Sequence, residues 1–383
     1  MTNFISYIRI FIFVIALILQ SCGKDDPDSI PETCNRTILV YMVANNSLGN
    51  AGDDANDINE MLEASANNTF NRGRLIIYLA STSHTPTLYE ISNGQIKALK
   101  EYDQSISSVA SNRMQEVIND AKQLAPAYDY GLILWSHGSG WLQNGIEFQN
   151  NNRSKTPLAF GDDRGKHMNI TTLSQVIHDE NFSFIYFDCC LMATIEVAYE
   201  LRHAAPHIIA SVTEIPNDGM PYEHNLPLLF ADTPNLKGAC ANTFDFYNCK
   251  KGISRSCAIS LINTLNLDKL AQYTSQIYEL HTSLPENFSP QKFTLDNNCY
   301  YFDFAQYINA LSIDKPELYN NWQATLNNIV EYKATTPSMW DKLPIEYHCG
   351  LSTYILKEPS DSTTHGYNQL QWWTDVASKQ WNK

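Results

Sequence analysis

The chain has 383 residues, enough for one large domain or two ordinary ones. Hydrophobic residues make up 44% and charged residues 17%, a globular balance that excludes a disordered chain or a coiled coil. Lys plus Arg total 26 against 41 for Asp plus Glu, so the net charge of -15 argues against a nucleic-acid partner, while an acidic protein attracts basic substrates.

At the start, Arg9 precedes the apolar run 10–19, which is short for a bilayer span and suits a signal h-region. Leu19-Gln20-Ser21-Cys22 follows and resembles a bacterial lipobox, in which the cysteine is lipidated and becomes the mature N-terminus. The acidic stretch after it, residues 23–28, resembles the surface-export signal of Bacteroidetes lipoproteins. The resemblance implies a signal peptide over 1–21, a lipid anchor on Cys22 and a tether over 22–35. It also implies attachment to the outer membrane, facing the cell surface, with a periplasmic face as the alternative. An uncleaved membrane anchor is the other reading of the apolar run. Eight further cysteines include no CxxC pair, so neither a zinc ribbon nor thioredoxin-like chemistry is supported. Pairings among the cysteines from 240 to 349 stay open.

Along the chain, residues 37–43 form a continuous apolar run, which predicts a strand buried on both faces. Ile58, Met61 and Leu62 carry helical spacing, and residues 75–79 predict a second buried strand. Residues 87–103 alternate around Asn93-Gly94, a hairpin signal. Met114, Val117, Ile118, Ala121 and Leu124 make one helical face that ends near Pro126. Two strands follow, 131–135 and 184–187, each ending abruptly in polar or reactive residues: Ser136-His137-Gly138 and Asp188-Cys189-Cys190. A helix over 194–201 and a strand over 208–212 come next. From about residue 237 the pattern predicts helices at 267–279 and 318–332 and strands at 257–262 and 351–356. Strands alternating with helices imply a largely parallel sheet covered on both sides, divided as 36–236 with a smaller α/β continuation over 237–383.

In such sheets ligands bind beyond the carboxyl ends of the strands, so His137 and Cys190 would converge on one rim. An imidazole, or a helix beginning near Ala193, stabilises a thiolate. Gly138 lets the backbone turn and offers its N–H to a developing oxyanion. Read from residues alone, a loop histidine and a buried inert cysteine remain the alternative.

The segments YGLILWSHGSGW (130–141) and FDCCLMATIEVAYEL (187–201) resemble the two signatures of the clostripain-like cysteine peptidases, relatives of caspases, gingipains and legumains. Segments 37–48, 53–64, 210–222 and 349–356 resemble further parts of that family. The resemblance implies a caspase-like α/β/α sandwich and hydrolysis of peptide bonds after a basic residue. It makes His137 the base and Cys190, before Leu191-Met192, the nucleophile, with Cys189 where the family usually has Ala. Both thiols are expected to be free, since a vicinal disulfide is geometrically awkward. Asp188 and Asp218 match positions lining the pocket for the basic side chain, although Met220 stands where an aromatic is common. Self-cleavage in the polar stretch 143–157, at Arg153 or Lys155, is a further implication.

No cofactor is expected. Calcium dependence occurs among clostripain-like enzymes, but the sequence locates no site. Pro206 breaks the helix that would align His203 with His207 as ligands, and the acids at 53–57 fit a helix N-terminus better than a calcium loop. Asp162-Asp163 before Arg164-Gly165 reads as a turn, and Trp372 and Trp373 as packing or surface residues. The expected function is a cysteine endopeptidase acting on basic sites in proteins or peptides. The alternative is a catalytically silent surface lipoprotein that uses the same fold for binding.

Overall fold

A computed structural model describes residues 31–67, 69–142, 159–295, 299–364 and 366–381. The signal segment, Cys22 and the tether up to residue 30 lie outside the described residues, as do Arg153 and Lys155.

The first apolar run becomes β1 (Cys34–Ala44). Its side chains alternate between two cores, Leu39, Tyr41 and Val43 facing one and Ile38, Val40 and Met42 the other. Burial on both faces explains a run without polar gaps. The strand begins inside the expected tether because Cys34 and Arg36 pair with Ala127 and Asp129. After β1 come α1 (Ser47–Ala51), α2 (Asp53–Ala66), β2 (Arg74–Ser81) and the hairpin of β3 (Thr87–Ser92) with β4 (Gln95–Glu101). Asn93 and Gly94 both take positive φ, 52° and 70°, as the dipeptide predicts. Next are α3 (Ser111–Leu124), β5 (Ala127–Trp135) and a small hairpin, β6 (Phe160–Asp163) with β7 (Lys166–Met168), which turns at Arg164-Gly165. The chain continues through α4 (Ile170–Ile177), β8 (Phe184–Asp188), α5 (Ile195–Glu200), β9 (His207–Ala210), α6 (Tyr222–Leu229) and α7 (Leu236–Asn248). Then follow β10 (Ala258–Asn263), α8 (Leu267–Tyr278), β11 (Phe302–Asp303), α9 (Phe304–Leu311), α10 (Pro316–Ile329) and β12 (Val330–Thr335).

Nine strands form one sheet in the order β12-β10-β9-β8-β5-β1-β2-β3-β4. The five in the middle are parallel, and the two at each edge are antiparallel. Helices α2, α6 and α7 cover one face, and α3, α4, α5, α8, α9 and α10 cover the other. This is the expected α/β/α sandwich around a mostly parallel sheet. The edge strand β4 is largely exposed and carries Lys97, Lys100 and Glu101, charges that discourage pairing with another chain.

Residues 32–383 form one unit, and the sheet takes in strands from both sides of the boundary drawn at 236/237, because β10 pairs with β9. Two elements differ from expectation. The helix from 318 stops at Ile329, where Val330 and Tyr332 turn to pairing with Ile262 and Leu261 of β10. The strand expected over 351–356 shortens to Ser352–Thr353, paired with β11, because Thr353 Oγ1 and Tyr354 N turn to donate to the buried Glu196 carboxylate, each at 2.9 Å. Pairing with a buried acid removes those groups from any ladder.

From β1 the chain moves to β2 on one side and later to β5 on the other, so strand order reverses between β1 and β5. The crevice beyond the carboxyl ends at such a reversal is where parallel sheets of this kind bind ligands.

Candidate active site

His137 lies at that reversal, two residues beyond β5. Two buried side chains stitch the loops around it. Ser136 Oγ donates to Val43 O (2.8 Å) and accepts from Asp162 N (3.1 Å). Asn46 Nδ2 lies 2.9 Å from both Val43 O and Asp162 O, while its Oδ1 accepts from Leu48 N and caps α1. The His137 carbonyl accepts from Gly161 N (3.0 Å). The ring is held by Ser47, whose Oγ is 2.8 Å from Nε2. Burial lowers the imidazole's pKa, against a smaller opposing pull from the Asp162 charge, so the neutral ring is favoured at rest.

The register Trp135↔Asp188 between β5 and β8 brings the two reactive loops side by side. A Cβ at Gly138 would fall 2.8 Å from both Cys189 Cβ and Cys190 O, so glycine is what allows the His loop to approach the Cys loop this closely. Among the described residues the Gly138 N–H makes no backbone hydrogen bond, while the Cys190 N–H acts on its own thiol.

The two adjacent thiols have different surroundings, and both are free. Cys189 is 2% exposed, donates to Leu134 O (3.1 Å) and has its pKa pushed far up by burial. Cys190 is partly exposed, and its Sγ accepts from Ile215 N (3.3 Å). Leu191 takes a φ of 63°, strained for a residue with a Cβ, and is held there by Leu191 N→Thr213 O and Ala193 N→Ser211 O, both 2.9 Å. Burial, and then the Glu214 carboxylate, push the Cys190 thiol up to about 12. The helix field expected to lower it is not decisive: α5 has six residues, begins at Ile195, and spends its Val197 N–H on the Thr194 side chain. The segment 211–220 therefore lies against the thiol and keeps it protonated at rest.

Asp188 is buried, and its Oδ2 accepts from Tyr222 Oη (3.0 Å) and Met220 N (3.2 Å). The carboxyl beside it is Asp57 of α2, whose Oδ2 accepts from Trp135 Nε1 (2.5 Å). Burial raises both carboxyls, and the Asp188 charge raises Asp57 further. Asp218, next to Gly219, sits on an exposed turn with Oδ2 2.6 Å from Lys250 Nζ. The remaining sequence features take structural roles. Asp53 and Asp54 occupy the first turn of α2, and Trp372 packs in the core 5.2 Å from Tyr199 and 5.9 Å from Phe304. His203 faces the His178 ring while His207 lies 3.6 Å from Glu331, so the two histidines are not joined in a ligand pair.

Ser47, Asp57, Glu214 and Ile215 were not singled out by sequence reasoning. A signal for Asp57 existed: it shares the buried stripe of α2 with Met61, Ala64 and Ser65, where an acid is out of place. Nothing comparable marked Ser47, whose contact depends on how two loops meet.

A cysteine and a histidine on adjacent loops at the carboxyl end of a parallel sheet are the groups that thiol hydrolysis requires. The profile of the clostripain family matches residues 40–375, and the chain belongs to that family of cysteine peptidases. Two solved structures are each 28% identical with a TM-score of 0.76 and cover 91% of this chain. One is an inactive zymogen C11 protease from Parabacteroides distasonis, 99% covered. The other is a secreted C11 cysteine protease from Bacteroides thetaiotaomicron in complex with an irreversible peptide inhibitor, 100% covered. A further secreted C11 protease from Bacteroides thetaiotaomicron shares the fold, with a TM-score of 0.78 at 22% identity over 90% of this chain and 100% of its own. No curated protein matches this sequence significantly.

Proposed function

We propose that this protein is an endopeptidase that cleaves after Lys or Arg through a Cys190–His137 dyad, and that a lipid on Cys22 holds it at the outer membrane, facing the cell surface. The observation that carries the dyad is the contrast between the thiols, Cys189 turned into the interior and Cys190 on the rim beside the His loop. The basic preference rests on Asp188, a buried carboxylate beside the candidate nucleophile with no Lys or Arg partner among the described residues.

With substrate bound, Cys190 Sγ attacks the scissile carbonyl carbon as its proton passes to His137. Ser47 accepts a hydrogen bond from Nε2–H and so leaves Nδ1 to receive the proton. The carbonyl oxygen becomes an oxyanion facing the N–H groups of Gly138 and Cys190. Collapse expels the amine, which takes the proton from His137, and a thioester remains on Cys190. Water, deprotonated by His137, hydrolyses the thioester and restores the thiol. Because both resting partners are neutral, the proton transfer accompanies attack instead of preceding it.

Self-cleavage at Arg153 or Lys155 follows from the same preference. A silent binding module is the second reading, favoured by the contact of Cys190 Sγ with Ile215 N. A peptide-library cleavage profile of the mature protein beside Cys190→Ala tests the proposal. Cleavage after Lys or Arg that vanishes in the variant supports it, and no cleavage by the processed wild type supports the silent module.

A further inference from the structure

The Asp188 carboxyl does not stand alone. A Cβ at Gly219 would lie 3.1 Å from Asp188 Oδ2 and 3.2 Å from Asp57 Oδ2, so both oxygens press against this residue and leave room only for one without a side chain. Gly219 holds a φ of 57°, and Tyr247 Oη anchors its carbonyl at 2.5 Å. Two carboxyls thus meet at the same glycine near the candidate nucleophile, one from the end of β8 and one from α2.

Their surroundings are acidic. On α2, Asp53 lies one turn before Asp57 with its Oδ2 unpartnered among the described residues, and Glu60 lies one turn after. The Asp218 charge acts on Asp53, so an acidic track runs from the exposed turn to the buried pair. From β5, Trp135 donates to Asp57. Met220 N, from the loop before α6, and Tyr222 Oη, from the first residue of α6, donate to Asp188, while Tyr247 of α7 reaches the pair only through Gly219. Among the described residues no Lys or Arg forms an ion pair with either carboxyl, and Lys250 is engaged by Asp218.

We propose that Asp57 is a second specificity carboxylate, which together with Asp188 receives the basic side chain of the substrate and gives up a shared proton as that cation arrives. The proposal rests on the basic preference stated above and deepens it. Two carboxyls this close and this buried do not both ionise without a cation. Without substrate the pair holds one proton and one negative charge. A guanidinium or ammonium supplies the compensating charge, the proton leaves to solvent, and the pair with its guest again carries one negative charge. Directions agree: burial raises both groups and the Asp188 charge raises Asp57 further, so the proton is retained near neutrality until a cation replaces it.

The test uses matched fluorogenic peptides with arginine or its uncharged isostere citrulline at the cleavage site. Wild type and Asp57→Asn are compared by kcat/KM; the asparagine keeps an acceptor for Trp135. Asp57→Asn is expected to lower the arginine-to-citrulline ratio by about tenfold or more. Equal losses on both peptides would overturn the assignment while leaving the basic preference intact. A wild type that does not prefer arginine would remove both. A second measurement keeps native Asp57: calorimetric titration of Cys190→Ala with the arginine peptide at neutral pH, in two buffers of different ionisation enthalpy. Release of about one proton is expected with arginine and none with citrulline. Arginine binding without proton release overturns the proposal.

Discussion

The two sides of the site rim are built differently. On the side of β1 and β5, His137 is set in place: Asn46 and Ser136 tie three loops together, and Ser47 fixes the imidazole. On the side of β8, the segment 211–220 lies against both the thiol and the acid pair, contributing Ile215, Glu214, Gly219 and Met220. The base side is a finished constellation, whereas the thiol side is covered. The segment's backbone is tied down by short bonds to the strained turn at Leu191, so thiol and segment would move together.

The largest effect expected from this contrast is on the resting thiol. Burial raises the Cys190 pKa to about 12, so below that value the thiolate fraction grows tenfold with each pH unit. Alkylation of Cys190 by iodoacetamide should therefore climb about a thousandfold over three pH units, with no plateau. A plateau below neutrality would reveal a preformed thiolate–imidazolium pair and erase the difference between the two sides.

A smaller effect is expected from the pocket. Asp188→Asn should lower kcat/KM for Arg and Lys substrates by about a hundredfold, because a desolvated cation loses a partner. Alkylation by a small uncharged reagent should change little. If both fell together, Asp188 would be a support for the thiol loop, not part of the pocket.

The base side should respond least. Ser47→Ala should reduce kcat by about tenfold with KM nearly unchanged, since Ser47 orients the ring and does not meet substrate. The pH profile should also shift at its imidazole limb. An unchanged profile would mean that His137 is positioned by the loop backbone alone.

Much of this arrangement was legible from local sequence. Continuous apolar runs became the buried strands β1, β2, β5 and β8, because burial on two faces leaves no room for polar residues. His137 and Cys190 were visible because each follows such a run abruptly. What sequence reasoning missed depends on contacts between distant segments. Asp57 and Asp188 are brought together by the packing of α2 across the sheet. Ser47 meets His137 because β1 and β5 are neighbours, 90 residues apart in the chain. The helix field expected on Cys190 is outweighed for a related reason: burial and the Glu214 charge, from a segment distant in sequence, raise the thiol. Asp218, the weaker match of the two in sequence, sits on an exposed turn where Lys250 pairs with it, a contact between distant segments that no local pattern announces.

The most direct measurement is to map the adduct formed by an irreversible peptide ketone with Lys or Arg at the cleavage site. Fragment-ion mass spectrometry distinguishes the adjacent thiols. If Cys190 is the nucleophile of a basic-specific peptidase, one adduct forms, on Cys190, absent from Cys190→Ala and lost on prior alkylation. An adduct on Cys189, or equal labelling of both thiols, would contradict that assignment.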